Sequence, residues 1–159
     1  MSPAWRVTIA FFQGLVGTWR DAEDKIDVTI ERAEWRSYTV RYRHPVDTGT
    51  FTAHLTIAGD THYLDLMPER GQDYGPLLVP VHAIVRVERQ AETMTITPLD
   101  YDRLHAAFTR RTRRPSEPAM AMDQKQNVFL TGSTAELRQW LRLEGANVLG
   151  APATFTRIK

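Results

Sequence analysis

The stretch "FFQGLVGTWRD", residues 11–21, joins a short apolar lead-in to a Gly-Thr-Trp sequence. The residues that follow it alternate between apolar and polar side chains, so Trp19 stands where a series of strands begins. The stretch is either the opening strand of a ligand-holding barrel or the site of an ordinary buried tryptophan. The position of Trp19 at the start of the strands favours the opening strand.

The segment 15–99 has the two-residue periodicity of β-strands. In "YTVRY" (38–42) and "FTAHLTI" (51–57), aromatic or aliphatic residues alternate with polar ones, and Gly59–Asp60 has the composition of a tight hairpin turn. Short strands joined by hairpins indicate an antiparallel meander. Such a meander loses its exposed edges by curling into a barrel, and about eight strands leave room for packed side chains or one small ligand.

The remainder of the chain predicts two short helices in its C-terminal third. The first helix spans 100–108 with Asp100 as a candidate N-cap, and the second begins at the capping box formed by Ser133 and Glu136. We therefore predict a mainly β single domain, 1–159, that forms a barrel or a strongly curled sheet. Its parts are a lead-in (1–14), the strand meander (15–99), a helix (100–108), a basic loop containing prolines (109–126) and a closing strand-helix-strand segment (127–159). The final strand, "ATFTRIK", is expected to pair with the strand of Trp19.

The Gly-x-Trp sequence at Gly17–Trp19, opening the first strand, resembles the signature of the lipocalins and the wider calycin superfamily. The resemblance implies a closed antiparallel barrel in which Trp19 seals one end. It also implies a basic side chain from a late strand stacked on the indole. Arg157 is the first candidate for that role, and Arg110 is the second.

A second resemblance covers nearly the whole chain. The order "LVGTWRD", "YLDLMP", "LLVPVHAIVRVE" and "LTGSTAELRQWL" resembles a group of bacterial domains to which no activity is assigned. This resemblance supports the boundaries of the fold and implies no chemistry.

Composition excludes several classes of function. The formal net charge of +1 argues against a dedicated nucleic-acid binder, and the absence of cysteine excludes disulfides and thiolate chemistry. The apolar stretch "VTIAFFQGLVG" (7–17) is too short to span a bilayer and lacks the features of a signal peptide. The default expectation is a cytoplasmic protein without a transmembrane segment.

The histidines do not have the spacing of a metal site. His54, His62 and Asp65 lie on strands that should pair, but alternation places them on different faces, so we expect no metal site. No nucleophile elbow, phosphate loop or dinucleotide fingerprint is present, and no cofactor is predicted. The sequence favours a binding protein over an enzyme.

The leading hypothesis is a non-enzymatic protein that holds a small apolar ligand in the barrel interior or in a groove. Two polar side chains, Tyr63 and His82, are the candidate anchors for such a ligand. The candidate inward-facing residues are Tyr38, Val40, Tyr42, Phe51, Leu55 and Ile57.

Two alternatives stay open. The first is an interaction module whose barrel is filled by its own side chains and whose contact is an oligomerisation edge or the basic loop. The arginines of that loop, which would meet an acidic partner or an anionic surface, are Arg110, Arg111, Arg113 and Arg114. The second is an enzyme that uses His82 together with Tyr63 and Asp65.

Overall fold

The computed structural model describes residues 12–21, 23, 25–69, 83–110, 118, 120–122, 124 and 128–159. Residues 12–14 form a helical turn that leads into the first strand. The elements that follow are β1 (Gly17–Asp21), β2 (Ile26–Arg32), β3 (Ser37–His44), β4 (Asp47–Ala58), β5 (Thr61–Pro68), β6 (Ala83–Gln90), β7 (Thr93–Pro98), α1 (Tyr101–Thr109), β8 (Met120–Met122), β9 (Val128–Leu130), α2 (Thr134–Glu144), a 3-10 turn (Gly145–Asn147) and β10 (Ala153–Arg157).

Eight of these strands form a closed antiparallel barrel in the order β1-β10-β7-β6-β5-β4-β3-β2. The barrel closes where Trp19 of β1 lies opposite Arg157 of β10. The mainly β fold predicted from the sequence is thus confirmed, and it is a closed barrel rather than an open curled sheet. The predicted helices are also confirmed, since Asp100 caps α1 and Ser133 caps α2 by accepting hydrogen bonds from the amides of Arg103 and Glu136.

Apolar side chains fill the barrel, because every second residue of each strand points inward. Among the described residues, the largest that are almost completely buried inside it include Trp19, Tyr38 and Met94. The buried residues of this inner core are Phe12, Leu15, Trp19, Val28, Ile30, Tyr38, Val40, Ala53, Leu64, Val87, Met94 and Phe155.

A second apolar core lies outside the barrel. There α2 places Leu137, Trp140 and Leu141 against the outer face of the sheet, where they meet Tyr63 and Ile84. Around Tyr63 of β5 and Ile84 of β6, both faces of the sheet are therefore covered. No helix among the described residues is both long and apolar enough to cross a membrane.

The two ends of the barrel differ. At the Trp19 end lie the helical turn 12–14 and the hairpin turns 33–36, 59–60 and 91–92. At the opposite end, called the far end below, lie the β3–β4 turn, the last residues of β1 and β5, and the first residues of β2 and β6.

Candidate functional site

Trp19 lies at one end of the barrel, where it contacts Leu15 and Arg157. Its indole N–H donates a hydrogen bond of 2.9 Å to the Leu15 carbonyl, and the side chain is fully buried. The Arg157 guanidinium lies 4.3 Å from the centre of the indole ring, within cation–π distance. The same guanidinium donates to the carbonyls of Val16 and Gly14. The structure thus places Arg157, the first candidate implied by the resemblance, on the indole.

The helical turn 12–14 is fixed to the barrel by Tyr38. The Tyr38 hydroxyl donates to the Phe12 carbonyl, and the two rings lie 4.2 Å apart between centroids. Burial raises the pKa of Tyr38 well above its ordinary value, so the hydroxyl stays a donor at physiological pH. This contact brings Phe12 to the rim formed by β2, β3 and β4.

The six candidate ligand-binding residues all occupy inward register positions, but they are not gathered at one place. Tyr38 and Val40 are buried in the filled core. Tyr42 and Phe51 lie toward the far end, whereas Leu55 and Ile57 lie at the Trp19 end. They therefore do not line a single interior site, because the buried core residues separate the two ends.

The two side chains predicted to anchor a ligand were Tyr63 and His82. Tyr63 lies on the outer face of β5 in the core beneath α2, so its assignment to the same site as Leu55 and Ile57 needs correction. Burial there raises the pKa of the Tyr63 hydroxyl. The second anchor, His82, lies outside the described residues.

A groove opens at the Trp19 end beside the helical turn. We call it the rim groove; its volume is about 470 Å³. Phe12, Leu55 and Ile57 provide apolar lining, and Arg32, Arg36 and Arg138 bring three guanidinium groups. Gln13 also lines it. The Arg32 guanidinium lies 5.8 Å from the centre of the Phe12 ring.

The two histidines and the aspartate weighed as metal ligands are separated by the sheet. His54 is paired directly with Asp65 on the outer face, whereas His62 is paired with Ile57 on the inner face. Burial lowers the pKa of His62, which favours the neutral imidazole. Within the described ranges, no group of three histidine, aspartate or glutamate side chains is placed to hold a metal ion.

The outer face of β1, β2 and β3 carries a charged surface with depressions of about 620 and 400 Å³. Asp27 accepts hydrogen bonds from Arg20 at 2.7 Å and from Arg43 at 3.0 Å, and these bonds lower the pKa of Asp27 to about 2. Three of its charges are therefore paired with one another, and the described lining of each depression contains one apolar side chain, Pro45 in the larger and Ile158 in the smaller. These properties make the rim groove the better candidate for a small-molecule site.

The predicted basic loop (109–126) is described in part, and the prediction of a loop is wrong at its end, because Met120–Met122 form strand β8 and pair with β9. Arg110 follows the last residue of α1 and is exposed, and the indole of Trp19 contacts Arg157 rather than Arg110. Arg111, Arg113 and Arg114 lie outside the described residues.

No protein-family model, curated protein or solved structure matches this chain. The eight-stranded antiparallel barrel is compatible with a lipocalin-like fold.

The sequence interpretation missed the arginines of the rim groove. Arg32 was detectable in principle, because it continues the inward register of Val28 and Ile30 on β2. A charged residue at an inward position marks the rim of a barrel. Arg36 and Arg138 carry no such signal, because a turn and a helix surface are ordinary places for arginine.

Proposed function

We propose that the protein is a non-enzymatic binding protein of the lipocalin type, and that it holds a small, largely apolar ligand in the rim groove. The proposal is carried by one observation: the barrel interior is filled, and an open groove at its rim is lined in part by the apolar side chains of Phe12, Leu55 and Ile57. Small-molecule sites are typically concave, mostly apolar and about 300–1,000 Å³ in volume. Leu55 and Ile57, two of the predicted ligand-binding residues, lie in that groove.

The experiment is a fluorescence titration with an uncharged, environment-sensitive apolar dye. The wild-type protein should bind it saturably at one site. Ile57→Trp should weaken binding by about tenfold or more, because the larger side chain occupies the groove, and tenfold corresponds to about 1.4 kcal/mol.

Ile96→Trp is the matched control. Ile96 is also a partly buried, inward-facing isoleucine, but it lies on β7 away from the groove. Circular dichroism verifies that both variants fold, and Leu55→Ser replaces Ile57→Trp if that variant does not. A loss of binding in Ile96→Trp with full binding in Ile57→Trp would contradict the rim groove as the site.

An interaction module is the second candidate, favoured by the filled interior and by the exposure of Trp35. This tryptophan is 92% exposed on the β2–β3 turn, so its indole is accessible to a partner, and aromatic side chains are enriched in protein interfaces. The same titration separates the two functions. Failure of the dye to saturate the wild-type protein would overturn the carrier and favour the module.

A further inference from the structure

The charged residues that line the rim groove are all positive. Arg32 lies at the end of β2, Arg36 in the β2–β3 turn and Arg138 on α2, so three separate elements direct arginine to one groove. Among its described lining residues none is acidic. Like charges gathered at one place repel each other, and an anion bound between them relieves that repulsion.

These arginines also differ from those on the nearby strands. Arg20 and Arg43 pair with Asp27, and Arg41 pairs with Glu31. Within the part of the chain that the structure describes, none of the three rim-groove arginines forms an ion pair. Their guanidinium groups therefore keep hydrogen-bond donors for a ligand.

The backbone conformation at Arg36 also supports a functional role for this residue. Trp35 and Arg36 have φ values of 54° and 60°, and the Ser37 amide donates to the Glu34 carbonyl at 3.1 Å. This is the geometry of a type I′ turn, for which Asn-Gly is the favoured sequence. Bulky residues in left-handed conformations are strained, and strain of this kind concentrates at functional positions.

From these observations we propose that the ligand is an amphipathic anion. Its apolar body contacts Phe12, Leu55 and Ile57, and its carboxylate or equivalent anionic group binds the rim-groove arginines. A planar guanidinium suits a carboxylate because it offers two parallel N–H donors. This inference rests on the proposed function, and it adds the chemical class of the ligand.

The test compares four probes by isothermal titration calorimetry below their micelle-forming concentrations: decanoate, decan-1-ol, decyltrimethylammonium and acetate. Decanoate should bind most tightly, decanol more weakly, and the cation and acetate weakest of all. Added salt should weaken the binding of decanoate and not that of decanol, because screening acts on the charge.

Arg138→Gln and Arg36→Gln should each weaken decanoate binding by about three- to fivefold, the range expected for a partly exposed ion pair, and leave decanol unchanged. Arg142→Gln is the matched control, because it lies on α2 one turn beyond Arg138 and does not line the groove. It should leave both affinities unchanged.

Four results would overturn the inference. Equal affinity for decanoate and decanol would show that the ligand needs no anionic group, and the groove would then be an apolar site only. Equal losses in Arg138→Gln and Arg142→Gln would show a general charge effect. Sedimentation of the protein with phosphatidylglycerol vesicles, without binding of monomeric decanoate, would assign these arginines to a lipid surface instead. Failure of every probe and of the uncharged dye would remove the proposed function as well.

Discussion

At Gly17 the backbone φ is +145°, a conformation that residues with a side chain rarely adopt. A Cβ atom at this position would lie 2.5 Å from an Arg157 guanidinium nitrogen and 2.8 Å from the Lys159 carbonyl oxygen. The Gly-x-Trp spacing therefore has a physical reason. The glycine leaves room for the arginine that stacks on the indole of Trp19.

We expect Gly17→Ala to lower the free energy of unfolding by about 1–3 kcal/mol, because it adds both a strained φ and a close contact. Chemical denaturation followed by tryptophan fluorescence measures the change. Gly150→Ala is the control, since a Cβ there makes only ordinary contacts, the nearest at 3.5 Å. Its effect should stay within about 0.5 kcal/mol. Equal effects of the two substitutions would contradict this explanation.

At the scale of single residues, the sequence predicted the sealed end better than the groove. The resemblance of Gly17–Trp19 to the Gly-x-Trp signature implied a basic partner for the indole, and Arg157, the first of the two candidates, occupies that position. Arg138 was beyond prediction, because an arginine on an exposed helix surface carries no sign of what lies beside it. Only the packing of α2 against the barrel brings it to the groove.

Among the elements, the hairpin turns show which backbone features a sequence can predict. Gly59 has a φ of 63° and was recognisable as a turn, because glycine adopts that conformation without strain. Trp35 and Arg36 adopt the same region without any glycine or asparagine to indicate it. The β2–β3 turn thus has the shape of a tight hairpin but not its usual residues.

We expect Trp35→Asn combined with Arg36→Gly to raise the free energy of unfolding by about 1–2 kcal/mol, since both residues suit positive φ. Thermal and chemical denaturation measure this gain. The same double variant should lose affinity for decanoate, because Arg36 no longer reaches the rim groove.

Trp35→Ser combined with Arg36→Ser separates the backbone effect from the removal of two side chains. Serine has no comparable preference for positive φ, so this variant should gain much less stability. Equal stabilisation by both double variants would show that the gain comes from removing an exposed tryptophan.

Strand β5 shows a different limit on what the alternation of residues can predict. Alternation correctly places Tyr63 and Leu64 on opposite faces of β5. It does not tell which face lines the barrel interior when both faces are buried. Here α2 covers the outer face, so Tyr63 is buried without entering the barrel. The periodicity of a strand gives no information about a helix from a distant part of the sequence that covers one of its faces.

For the molecule as a whole, the barrel is closed by β10, which pairs with the first strand of the meander, β1, on one side and with its last strand, β7, on the other. We call this strand the seam of the barrel. Residues 99–152 lie between β7 and β10, yet β10 fits between β7 and β1 and leaves neither with an open edge. Phe155 holds this strand inward, opposite Met94 of β7, and is 5% exposed. Phe155 is the one buried residue of this five-residue strand, so its packing contributes to holding the barrel closed.

We expect Phe155→Ala to lower the free energy of unfolding by about 3–5 kcal/mol, the range for removing a buried phenylalanine. Because β10 is the seam, amide hydrogen exchange should accelerate first in β1 and β7, its two neighbours, and later in β3 and β4 across the barrel. Phe108→Ala on α1 is the control: this phenylalanine is 38% exposed, and its loss should cost less than about 1 kcal/mol. Uniform acceleration of exchange in all strands would mean that the barrel opens as one cooperative unit, without a weaker seam at β10.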